Sequence, residues 1–156
     1  RGLADIQKPP LPAASNHDRN QAVQPQSHLK TILWTLGIQV LATSAAIYYS
    51  QAQNACLAAG YDGAASVLSA TENTAIASLM NSMGSGFAFL GYTDSATEGT
   101  FEWSDGSAVS YENWAPGEPN DANGSIDCTA IQDNLSFAWN DAFCSLTTID
   151  FTCSSR

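Results

Sequence analysis

Asn113-Trp114-Ala115-Pro116-Gly117-Glu118-Pro119-Asn120-Asp121, followed by Asp127-Cys128 and then Trp139-Asn140-Asp141, is the stretch whose reading decides the fold of this chain. Pro116, Gly117, Pro119, Asn120, Asn123 and Gly124 break any period of two or 3.6, so residues 113–127 read as a loop. The loop is rich in carboxylates. Ten acids fall between residues 94 and 141: Asp94, Glu98, Glu102, Asp105, Glu112, Glu118, Asp121, Asp127, Asp133 and Asp141. Carboxylates and amide carbonyls on irregular backbone are the donors that calcium takes, six to eight oxygens at flexible geometry. A solvated acidic surface is the competing reading, and the acid count alone does not separate the two.

Outward from this loop, the flanks read as short regular elements. Residues 87–90 and 100–103 are strand signals, the second ended by the Asp105-Gly106 turn. Residues 129–132, 137–140 and 149–153 are three more. Upstream, Tyr48, Ala52, Cys56 and Ala59 share one helical face, with Gly60 as the stop. Ser69-Ala70-Thr71-Glu72 is a capping box, and Ile76, Leu79, Met80 and Met83 then recur at helical spacing up to Gly84. Strands, two helices, then strands give an α+β class. Residues 31–49 carry no charge and have the length of a membrane span. Gly37, Gln39, Thr43 and Ser44 interrupt them and β-branched residues favour strands, so we read two strands at 32–34 and 38–41 and no span.

The charge is divided sharply. The chain has 156 residues and a net charge of −10, yet Arg1, Lys8, Arg19, Lys30 and Arg156 are its only basic residues. Residues 31–155 therefore hold 13 acids and no Lys or Arg. That balance argues against a nucleic-acid partner and leaves internal repulsion for a divalent ion or a basic neighbour to relieve. Residues 1–30, with Pro9, Pro10, Pro12 and Pro25, read as an extended arm or linker ahead of a domain at 31–156. The chain opens on Arg1 rather than Met, so a preceding segment is expected. Cys56, Cys128, Cys144 and Cys153 lack C-x-x-C spacing and both histidines lie in the arm, which argues for two disulfides in an oxidising compartment rather than zinc. With no His, Lys or Arg in residues 31–155, the usual nucleophile activation of an enzyme is missing and we read no catalytic residues.

Glu118-Pro119-Asn120 with Trp139-Asn140-Asp141 resembles the C-type lectin-like domain, in its mannose-type Glu-Pro-Asn subclass. The resemblance extends over residues 36–153. It takes in Ala52-Gln53-Asn54-Ala55-Cys56, Phe89-Leu90-Gly91-Tyr92-Thr93-Asp94, Glu98-Gly99-Thr100-Phe101-Glu102-Trp103-Ser104-Asp105-Gly106-Ser107, Tyr111-Glu112-Asn113-Trp114, Asp127-Cys128 and Phe151-Thr152-Cys153. It implies a double-loop α+β domain of two helices and two small antiparallel sheets, with Cys56 paired to Cys153 and Cys128 to Cys144. Chain-entropy arguments put each bridge at ~3–5 kcal/mol.

The resemblance also implies a ligand set. Glu118, Asn120, Asn140 and Asp141 would hold one calcium and the sugar, with Pro119 cis; Asp94, Glu98, Asp121 and Asp127 would hold a flanking calcium. Vicinal hydroxyls would ligate the ion, donate to the carboxylates and accept from the amides. Ile126 stands where that pattern has a further Glu, which weakens calcium, and Ser136-Phe137-Ala138 marks a two-residue lengthening. Asn123-Gly124-Ser125 and Asn134-Leu135-Ser136 are N-glycosylation sequons. Trp103 and Trp139 read as core, while Trp114 is open between core and sugar stacking.

Two functions follow. The first is a secreted or cell-surface, calcium-dependent carbohydrate-binding protein of mannose type. The alternative is an extracellular structural subunit whose arm, residues 1–30 at +2, docks on the acidic body of a neighbour and builds a filament.

Overall fold

The computed structural model describes residues 41–43, 48–121, 124–146 and 150–155. The arm at 1–30 and most of the two strands expected at 32–34 and 38–41 lie outside the described residues. No helix among the described residues is long and apolar enough to cross a membrane.

The element order is β1 (Leu41–Thr43), α1 (Tyr49–Ala58), β2 (Gly63–Ala64), α2 (Ala70–Met83), β3 (Phe87–Thr93), β4 (Glu102–Trp103), β5 (Cys128–Gln132), β6 (Ala138–Ala142) and β7 (Asp150–Ser154). The sheet path runs β1-β7-β3-β5-β6, with β2 on β7 and β4 on β3. This is the expected α+β fold, with one correction. The strands form one mixed sheet rather than two separate antiparallel ones, because β3 serves both halves. Its first half pairs in parallel with β7 (Ala88 with Asp150, Phe89 with Phe151) and antiparallel with β5. The register then shifts, and Tyr92 and Thr93 pair with β4. Gly91 sits at the shift. Its N–H bonds Ala65 O and its carbonyl takes the Ser104 N–H. A Cβ there would lie 2.3 Å from Ala64 O, so only glycine allows the backbones to approach this closely.

Both helices form where their signals put them. Ser69 Oγ accepts from Glu72 N–H, while the Glu72 carboxylate reaches back to the Leu68 N–H. Gly84 takes the left-handed C-terminal position at φ 69°. The α1 face is narrower than its period suggests: Ala52 and Cys56 are buried, but Tyr48 and Ala59 are exposed because they cap the helix rather than belong to it. Two apolar clusters follow. One gathers Ile76, Leu79 and Met80 of α2 with Leu90, Tyr92, Trp103, Ile131 and Trp139. The other gathers Ala52 and Cys56 of α1 with Phe89, Phe151 and the cysteines. Both disulfides pair as the resemblance implied, Cys56 with Cys153 and Cys128 with Cys144.

Trp139 is fully buried, and its indole N–H needs a partner there. Asn73 of α2 supplies it, Oδ1 accepting at 2.7 Å, and its Nδ2 donates to Phe137 O at 3.1 Å. The Ser136-Phe137 lengthening is thereby fastened to the core, with both residues at positive φ. Asn73→Ala would leave the indole N–H unpaired and the Phe137 carbonyl short of a donor, so a loss of about 2–3 kcal/mol is expected in urea unfolding. A change below about 0.5 kcal/mol, within the range of an ordinary surface substitution, would show that this bond does not hold the layers together.

Candidate functional site

The loop begins by fastening itself to the outer edge of β6. Trp139 N–H donates to Asn113 O and Ala115 N–H to Trp139 O, each at 2.8 Å. Asn113 Nδ2 adds a second amide on Phe137 O at 3.0 Å. Ala115-Pro116-Gly117-Glu118 then turns, Glu118 N–H returning to Ala115 O at 3.0 Å with Gly117 at φ 90°. Proline followed by a glycine at positive φ is the type II pattern. This turn delivers Glu118 beside β6. The Glu118-Pro119 peptide is cis, as expected.

Three of the four primary residues come together. Asn120 Nδ2 donates to both Glu118 oxygens, at 2.9 and 2.8 Å, and Asn120 N–H donates to Asp141 Oδ2 at 3.0 Å. Burial, then the hydrogen bond and like charge of Asp141, raise the Glu118 pKa, while Asn120 lowers it. Asn140 stands apart. Its Oδ1 accepts from Gln132 Nε2 at 2.7 Å and its Nδ2 donates to Asp141 O at 2.9 Å. Gln132 was not legible as a site residue, although the period of two along a β5–β6 hairpin puts it on the same face as Asn140.

The flanking set lies at the other end of the loop. Oxygens of Glu98, Asp121 and Asp127 fall within 4.8 Å of one another. Asp121 Oδ1 accepts the N–H groups of Ser125 and Ile126, at 3.1 and 3.2 Å. Asp94 follows β3 and is 2% exposed; its Oδ2 accepts from Gly99 N–H at 2.9 Å and its N–H bonds Asp127 O at 3.2 Å. Asp94 Oδ1 is buried with no hydrogen-bond partner among the described residues. The hydrogen bond to Asp121, then desolvation and the charges of Asp121, Asp94 and Asp127, raise the Glu98 pKa. An all-oxygen donor set, a buried carboxylate oxygen in want of a partner and no Lys or Arg in residues 31–155 fit a hard divalent cation. Glu98, Asp121 and Asp127 would hold it; Asp94, the fourth residue expected, is not in that 4.8 Å group and is tied to it by its N–H on Asp127 O.

The remaining candidates divide. Ile126 is half-buried beside Asp121. Trp103 and Trp139 are core, as expected. Trp114 packs against Tyr92, Phe101 and Trp139, and its Nε1–H donates to Glu112 at 3.1 Å, which assigns it to the edge of the core. Glu112 also accepts from the Tyr92 hydroxyl at 2.8 Å, so it ties two aromatics together. Asn123 lies outside the described residues. Asn134 is exposed on a 3₁₀ turn, Asp133–Leu135, between β5 and β6.

Comparison with known proteins agrees with this fold. Residues 46–154 match the family model for the Lectin C-type domain. The chain belongs to the C-type lectin domain family. The family is a non-enzymatic one. Pig pulmonary surfactant-associated protein D is 41% identical over 99 residues, 62% of this chain and 25% of that protein. Chicken mannose-binding protein is 42% identical over 82 residues, 53% of this chain and 30% of that protein. The chain thus spans under a third of the length of these relatives. The carbohydrate-recognition domain of cow CD23, solved in the presence of a GlcNAc2Man3 oligosaccharide, superposes with a TM-score of 0.68 at 29% identity, covering 78% of this chain and 90% of that one.

The raised carboxyls give a pH test. Glu98 and Glu118 both hold a proton more tightly in the folded chain than at the ordinary value of 4.5. Without calcium, their contribution favours folding at low pH and is lost as pH rises through the raised values. In excess EGTA, the Tm is expected to increase as pH is lowered from about 7 toward 5, within the range where carboxyls shifted upward titrate. A Tm that falls steadily over that range would contradict the repulsion described here.

Proposed function

We propose that this domain is a calcium-dependent carbohydrate-binding module of mannose type that works in a secreted or cell-surface setting. One observation carries the reading: Glu118, Asn120 and Asp141 converge through direct hydrogen bonds at the end of a loop tied to β6. Two carboxylates supply acceptors and negative charge, and the Asn120 amide supplies a donor already aimed along them. Calcium, when bound, would ligate two vicinal sugar hydroxyls. Around it the chain's own groups would sort those hydroxyls, the carboxylates accepting their protons and the amide donating to their oxygens. Asn140 would complete the set. The pairing of Glu with Asn across Pro119 supports selection of mannose-type over galactose-type hydroxyls. The two disulfides support the oxidising setting. The mannose-binding relative and the CD23 domain solved in the presence of an oligosaccharide support the ligand class.

Retention on a mannose matrix, with calcium and then with EGTA, tests this. Wild type is expected to bind and to elute with EGTA, and Glu118→Gln and Asp141→Asn to pass through. Ile126→Glu restores a carboxylate and is expected to lower the calcium needed for half-retention about tenfold, the worth of one charge-assisted contact. Passage of wild type and Ile126→Glu alike, with calcium present, would end the mannose-type reading.

A further inference from the structure

The reading above leaves Asn140 in an unexpected position. In β6, Asp141 shares a face with Trp139, while Asn140 shares the other with Ala138 and Ala142. Opposite it on β5 is Ala130, and two residues along β5 is Gln132, paired with Ala138. Gln132 and Asn140 are therefore diagonal neighbours on one face of the hairpin, within reach for long polar side chains. Both ends of the Asn140 amide are engaged: Gln132 Nε2 holds the oxygen at 2.7 Å, and Asp141 O holds the Nδ2 at 2.9 Å. Neither bond involves Glu118, Asn120 or the Asp141 carboxylate.

The Gln132 donor sits on fixed backbone. Its residue pairs with Phe87 of β3 as well as with Ala138, and its carbonyl takes the Phe137 N–H at 2.8 Å. We propose that Gln132 is a positioning residue that holds Asn140 away from the cation, so that the Gln132–Asn140 hydrogen bond sets how much calcium the site needs. This rests on the reading of Glu118, Asn120, Asn140 and Asp141 as a calcium site. The Asn140 oxygen must turn from Gln132 to serve as a ligand, and the turn also withdraws Nδ2 from Asp141 O, releasing a second oxygen of the same strand. The device opposes calcium without adding charge and acts together with Ile126 to make a low-affinity site.

The test follows the Asn140 side-chain amide by NMR while calcium chloride alone is added to nitrogen-15-labelled protein. Gln132→Leu and Gln132→Met remove the donor and keep the bulk, so one serves if the other folds poorly. In both, the calcium midpoint read at Asn140 is expected about three- to tenfold lower than in wild type, the equivalent of one neutral hydrogen bond. The midpoint read at the Asp127 backbone should not move. A response of Asn140 in the variants but not in wild type would support the latch in its strongest form. Equal or higher midpoints at Asn140 in the variants would overturn it while leaving the calcium site standing. No response of Asn140 in any of the three proteins would overturn the latch, and no response at Asn120 or Asp141 either would overturn the calcium reading as well.

Discussion

The bond between Asn73 and the Trp139 indole is the constraint on which the site depends. Trp139 is too large and too apolar to lie anywhere but in the core, and its N–H is too costly to bury unbonded. Asn73 meets that need from α2 at 2.7 Å. The same amide steadies Phe137, the residue that launches β6. Once β6 is fixed, the backbone of Trp139 offers an N–H and a carbonyl on its outer edge, and residues 113–115 take both. The position of Glu118 relative to Asp141 thus traces back to a buried indole.

This explains how an irregular loop can carry a site of defined shape. Loops usually lack the contacts to hold side chains in one geometry, and sites work best when supported by rigid elements. Here the loop borrows rigidity at two places. At one end it extends the edge of β6; at the other, Asp121 gathers the N–H groups of Ser125 and Ile126, and Asp94 ties Asp127 to the end of β3. The primary residues lie between these two fastenings, and Asn120 and Asp121, adjacent in sequence, look to opposite ends.

Much of this was legible in the sequence because the signals were local. Ser69 to Glu72, Gly84 and the strand at Phe87 each depend on residues a few positions apart, and each forms where it was read. What failed to show were features set by pairing across the fold. The union of the strands into one sheet depends on β3 pairing with β7 as well as with β4 and β5, which no local pattern reveals. The engagement of Asn140 by Gln132 depends on the β5–β6 register, and that register depends on how the Ser136-Phe137 lengthening is absorbed. With both residues left-handed, the hairpin keeps Ala130 opposite Asn140. Family resemblance supplied the four primary residues as a set; in the fold Asn140 bonds Gln132 while Glu118, Asn120 and Asp141 bond one another.

That division bears on the charge balance. A body of 13 acids without Lys or Arg cannot neutralise itself, and the loop concentrates that strain where Glu98, Asp121 and Asp127 converge. The hydrogen bond to Asp121, then desolvation and the neighbouring charges, raise the Glu98 pKa, so the fold tolerates the cluster by holding a proton there or by holding a cation. The primary site is built to the opposite tendency. It has two carboxylates, an apolar residue at 126 and an amide turned toward Gln132. The flanking cluster has the stronger electrostatic demand for a divalent ion, and the primary group the weaker one. A chain arranged in this way puts its stronger demand for a cation at the flanking cluster and the weaker one at the group beside β6.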